Sequence, residues 1–166
     1  MTAGASGADR ARGVGALDTG RPVQLHTGFG DNDVRLASAD PTLLDPLVRA
    51  TADGPAPIML LPCWPYHRQA GYLAQVWPHV YIDVGLAIPP VGHRASGVLA
   101  EALELAPWHK VLYSSDAFGL AELHHLGVRF WKAALVAALS PLAAAAEPVK
   151  GLLPVSLRFS CGWLAC

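Results

Sequence analysis

One order of elements recurs four times in this chain, and it limits the folds available more than any other feature. A short apolar β-type run is followed by a polar loop and then by a stretch with helical spacing. The first unit is "PVQLH" (Pro22 to His26), "TGFGDND", and "DPTLLDPLVRATAD", with Leu43, Leu44, Leu47 and Val48 on one stripe. The second is "PIMLL" (Pro57 to Leu61), "PCWPY", and "HRQAGYLAQVWP" between Pro65 and Pro78. The third is "VYIDVGLA" (Val80 to Ala87) with Asp83 at its far end, "IPPVGH" as its loop, and "RASGVLAEALELAP", whose apolar residues Val98, Leu99, Ala102, Leu103 and Ala106 form a stripe. The fourth is "KVLYSS" (Lys110 to Ser115), Asp116, and the long helical run "FGLAELHHLGVRFWKAALVAAL", in which Gly127 costs about 1 kcal/mol relative to Ala.

Alternating β and α segments of this length predict an α/β chain with a parallel sheet covered by helices. Two architectures fit: an open doubly wound sheet, or part of an eight-stranded barrel. Both place ligands beyond the carboxyl ends of the strands. Those ends carry His26, the Pro62-to-His67 loop, Asp83 and Asp116.

Composition removes several functions. At 52% apolar residues over 166 positions the chain can build a sizeable core. Its net charge of −1 offers no electrostatic footprint for nucleic acid. The most apolar stretch, from Ala133, is cut by Pro141 and ends at Glu147, so no membrane span is expected. The Gly-, Ala- and Ser-rich opening has no apolar core of the secretory type; residues 1–20 read as a disordered leader. Three cysteines with no paired spacing suggest reduced thiols and a cytoplasmic setting. After Leu139 the periodicity decays, and residues 140–166 read as an irregular tail.

Each candidate group has a plainer alternative. His26 ends a strand, where an imidazole could bind Zn²⁺ or a similar metal, but it could equally be a loop histidine. Asp116 could bind metal and take a proton from water, or could be a helix N-cap. Asp31 and Asp33 in "GDND" lack the downstream Gly and Glu of a calcium loop. Cys63 and His67 could be a nucleophile and its base, but no orienting group accompanies them, and a buried structural Cys is the commoner case. Tyr66, His67 and Arg68 open a helix, whose N–H groups favour an anion such as a substrate carboxylate.

Taken together, "VQLHTGFGDND", "YHRQAGYLAQVWPHVYIDVGLA", "ALELAPWHKVLYSSDAFGLAELHHLG" and "RFWKAAL" resemble the C-terminal half of the amidohydrolase-related proteins. The resemblance is to the branch related to the amidohydrolase-like part of glutamine-synthetase fusion proteins, and it covers residues 21–139. It implies strands five to eight of a (β/α)₈ barrel that binds one or two divalent metals. It also implies His26 as the ligand ending the fifth strand and Asp116 as ligand and general base ending the eighth. Tyr66, His67 and Arg68 would then line the substrate side. The metal would be Zn²⁺, or alternatively Mn²⁺, held weakly.

The chain departs from that pattern in two ways. It has no HxH pair, and Pro62 stands where a histidine is expected after the paired leucines; proline has neither a ligand nitrogen nor a backbone donor. The expected activity is hydrolysis of a C–N or related bond in a small molecule, impaired in an incomplete chain. Non-oxidative decarboxylation and a non-catalytic remnant are the alternatives. Exposed sheet edges predict a homodimer, and the leader and tail suggest a truncated gene product.

Overall fold

The computed structural model describes residues 15–146; the leader's first fourteen residues and the tail beyond 146, with Cys161 and Cys166, lie outside that range. Four parallel strands form one sheet in sequential order: β1 (Val23–Thr27), β2 (Ile58–Pro62), β3 (Val80–Asp83) and β4 (Val111–Leu112). β1 and β2 pair from Val23↔Ile58 to Thr27↔Pro62. Met59 lies opposite Tyr81, and Ile82 opposite Val111. The fold is therefore the expected α/β arrangement of successive βα units, consistent with part of a (β/α)₈ barrel.

The two faces of the sheet are covered unequally. Ile58, Leu60, Val80 and Ile82 are fully buried beneath the helices. Alternate residues of the same strands turn to the other face, since side chains in a strand point to opposite sides with a period of two. There Gln24 and His26 are exposed, and Met59, Leu61 and Tyr81 are only half-buried.

Helix packing follows from small residues at the contacts. Helix α1 (Asp45–Ala50) is preceded by a 3₁₀ turn over Pro41–Leu44, capped by the Asp40 carboxylate, which accepts from Thr42 N–H at 2.8 Å. Helix α2 (His67–Val76) buries Ala70, Gly71, Leu73 and Ala74. A Cβ on Gly71 would lie 3.2 Å from Ala102 O, so glycine lets α2 approach helix α4 (Ala95–Ala102) closely. The α2 C-terminus is closed by Lys110, whose Nζ donates to Ala74 O and Trp77 O, both at 2.7 Å.

Three local expectations are corrected. "IPPVGH" is helical, with α3 at Ile88–Val91 followed by a 3₁₀ turn, because Pro at the first positions of a helix loses no intrahelical bond. "KVLYSS" gives a strand of only two residues. The last helix, α5 (Ala121–Ala146), passes the predicted end at Leu139 and includes Pro141, so residues 140–146 are helical. By length and composition α5 could cross a membrane. It packs on α4, sets Gly127 and Trp131 against the segment after β4, and leaves Leu126, Phe130 and Val136 exposed.

Candidate functional site

The carboxyl ends of the first, second and fourth strands converge on one cleft. It encloses about 250 Å³ and is lined by Gln24, His26, Leu61, Pro62, Ser114 and Asp116. The sheet is curved enough that residues from its first strand and from the segment following its last strand share this cleft.

His26 is held by its own loop. Its Nε2–H donates to Phe29 O at 3.1 Å, which leaves the lone pair of the neutral ring on Nδ1. That loop is in turn fastened to the β2 loop. Phe29 N–H donates to Trp64 O at 2.6 Å, and the two rings meet edge to face at 5.8 Å. Gly28 makes this possible: its φ is +77°, and a Cβ there would fall 2.3 Å from Trp64 O.

Asp116 sits beyond β4 in a left-handed conformation, φ +46°. It is not the N-cap of α5, which starts five residues later at Ala121. Ser115 Oγ steadies the turn, accepting from Ala117 N–H at 3.2 Å and lying 3.3 Å from His124 Nδ1. Helix α5 reaches this turn because Gly127 has no side chain; a Cβ there would lie 2.8 Å from Tyr113 Oη and 3.3 Å from Ser115 Cβ.

Behind the cleft Asp83 is almost completely buried. Its carboxyl accepts from Gly85 N–H, while Oδ2 has no hydrogen-bond partner among the described residues. Burial pushes it up to about 7 and the nearby Asp116 carboxylate adds to that, against hydrogen bonds from Gly85 and Ser114. Asp83 is thus a protonated buried acid through much of the acidic range.

The structure does not bring Tyr66, His67 or Arg68 to this cleft. Tyr66 Oη–H donates to Leu36 O at 3.1 Å. His67 is buried, and its Nε2–H donates to Glu101 Oε2 at 2.8 Å. Arg68 makes a bidentate pair with Glu104, both bonds 2.9 Å. His67 and Arg68 join α2 to α4 and its following turn, whereas Tyr66 is tied to the turn at Leu36. Cys63 is no nucleophile either: it is wholly buried, its thiol donates to Leu60 O at 3.0 Å, and desolvation pushes it up to about 12.

Gln24 and Ser114 were missed as lining residues. The period of two could have found Gln24, two residues before His26 on the same face of the same strand.

A family model described as Amidohydrolase matches residues 16–149. The chain belongs to the amidohydrolase family. This amidohydrolase chain is 39% identical over 116 residues to Protein fluG of Emericella nidulans; the match covers 69% of this chain and 13% of the fungal protein. A solved structure from Lactobacillus casei, assigned as a metal-dependent hydrolase, superposes with a TM-score of 0.70 at 40% identity, covering 73% of this chain and 32% of that one. The amidohydrolase chain therefore spans well under two thirds of either relative.

A divalent metal is expected from such a relative, and the described residues do not provide for one. The cleft offers two donors, His26 and Asp116, and its third wall is Pro62. Among the described residues no three His, Cys, Asp or Glu side chains gather as a metal-binding group. Resident zinc takes three or four protein ligands. The described residues alone therefore give no step that runs through a bound metal.

Proposed function

We propose that the chain carries one wall of a hydrolase site acting on a C–N or related bond of a small molecule. The single observation that supports this is the convergence of His26 and Asp116, from opposite edges of the sheet, on one cleft. Asp116 accepts a proton from the attacking water as its oxygen adds to the electrophilic carbon; the proton passes to the leaving nitrogen when the bond breaks. His26, aimed by its bond to Phe29 O, orients the water or the substrate oxygen. A divalent metal such as Zn²⁺ or Mn²⁺ would need donors from beyond the described residues of one chain.

Pro62 favours a second reading, in which the chain retains the scaffold without turnover. Equilibrium dialysis of the purified 166-residue chain against Zn²⁺ and Mn²⁺, followed by a panel of amides and esters, separates the two. Metal uptake with turnover that Asp116→Asn lowers by at least about a hundredfold supports the hydrolase. Absence of both metal uptake at micromolar concentration and turnover leaves the scaffold reading.

A further inference from the structure

We propose that Gly30 is a positioning residue for His26: the imidazole lies against its bare Cα, and the absence of a side chain there keeps the ring on the cleft it shares with Asp116. This deepens the hydrolase reading and rests on it, because it names a group that prepares the site without touching substrate.

The two glycines that flank Phe29 are required for different reasons. Gly28 has φ +77° and lies against the Trp64 carbonyl, so its conformation and its surroundings both call for glycine. Gly30 is not among the residues with positive φ, so a left-handed backbone does not explain it. Space does. A Cβ on Gly30 would fall 2.7 Å from His26 Nε2, 2.9 Å from His26 Cε1 and 2.9 Å from Val34 Cγ2. All three lie well inside ordinary contact, which is about 3.5–4.0 Å between carbons.

The backbone at Gly30 has little freedom to step aside. Gly28 N–H donates to Ala39 O at 2.7 Å and Phe29 N–H to Trp64 O at 2.6 Å, which pins the loop just before it. Val34 N–H donates to Asp31 O at 3.1 Å and closes a turn just after it. The exposed imidazole is the softest neighbour, so a methyl at position 30 is accommodated by turning His26 to another rotamer. That turn breaks its bond to Phe29 O. The cost of a side chain at Gly30 therefore falls on the direction of His26 and not on the fold.

A single hydrogen bond of 3.1 Å in solvent does not by itself hold an imidazole to one direction. Gly30 supplies the second constraint, backing the ring along its Nε2–Cε1 edge. The β2 loop reinforces both at one remove, because Trp64 O fixes the residue whose carbonyl His26 uses. Such placement matters to chemistry, since a shift of about 1 Å in a reacting group costs on the order of a hundredfold in rate.

NMR of the full chain, labelled with ¹⁵N-histidine and free of substrate, tests the geometry. At about pH 8 an ordinary imidazole is neutral. The parent should show the Nε2–H tautomer at His26 and nuclear Overhauser contacts from its Hε1 to the Gly30 Hα protons. Gly30→Ala should lose those contacts while its circular dichroism and urea midpoint stay those of the parent. Adding Val34→Ala gives the new methyl room on its other side and should bring the ring back. On any amide or ester that the parent hydrolyses, Gly30→Ala should lower kcat at least about tenfold. Its KM should stay within roughly twofold, and Val34→Ala should restore part of the lost rate.

A ring that keeps its contacts in Gly30→Ala overturns the proposal. So does a variant that unfolds, or one whose urea midpoint falls with the ring in place, since either makes Gly30 a packing residue. If the ring moves but the parent turns nothing over, the hydrolase reading falls and the positioning of His26 stands. If the parent turns over and the displaced ring leaves kcat unchanged, the positioning role falls and the hydrolase reading stands.

Discussion

The two faces of the sheet are built to different standards. On the helix side Ile58, Leu60, Val80 and Ile82 are sealed by α2 and α4, and glycine and alanine at the contacts bring the backbones close. On the other side the same strands present Gln24 and His26 exposed and Met59, Leu61 and Tyr81 half-buried. Stability and chemistry are thereby separated within single strands by the period of two. The helix side holds the fold together, and the cleft side holds polar groups at the strand ends.

Neighbouring leucines give the sharpest test of that contrast. Leu60→Ala empties a sealed site and should cost about 2–5 kcal/mol by urea denaturation, whereas Leu61→Ala on the cleft side should cost less than about 1.5 kcal/mol. Equal losses would show that the cleft face is as well packed as the helix face.

Asp83 tests the boundary between the two faces. Its carboxyl ionises at 3.8 when free and near 7 in the fold. Below about pH 4 both states hold the proton and the protein has its full stability from this group. As pH rises toward 7 the unfolded chain ionises first, so stability falls, by a sum on the order of 4 kcal/mol, and then levels off. Asp83→Asn should flatten that part of the stability–pH curve, and an unchanged slope would mean that Asp83 is not held protonated.

Gly127→Ala sets helix propensity against fit. Alanine is better in a helix by about 1 kcal/mol, but its methyl would press on Tyr113 and Ser115. Tyr113 is already stacked on Trp131, with centroids 5.0 Å apart, and has little room to yield. A net loss of about 1 kcal/mol in thermal or urea unfolding is expected; a gain would mean that the close approach of α5 to the Asp116 turn is dispensable. Arg68→Ala should have the smallest effect, a midpoint within error of the parent, since its pair with Glu104 lies in solvent.

Much of the architecture could be read along the chain because buried runs such as Ile58 to Leu61 and the helical stripe of Val98, Leu99 and Ala102 are local patterns. Asp116 could be placed after the fourth strand for the same reason, although that strand stops at Leu112, four residues earlier. Partnerships across the fold could not. His67 and Arg68 looked like anion-binding groups at a helix start, while their partners, Glu101 and Glu104, are more than thirty residues away and meet them only because Gly71 allows α2 to close on α4. The protonated state of Asp83 depends on desolvation by distant segments and has no sequence signature. "IPPVGH" misled because proline breaks a helix interior yet starts a helix well, and only the position of the first turn decides which applies.

Cys63 has one practical consequence. Its sulfur is sealed between Thr27 and Leu60 O, so an alkylating reagent can reach it only when the β1–β2 core opens. The rate at which iodoacetamide modifies the peptide containing Cys63 is therefore a clock for the opening of that part of the core.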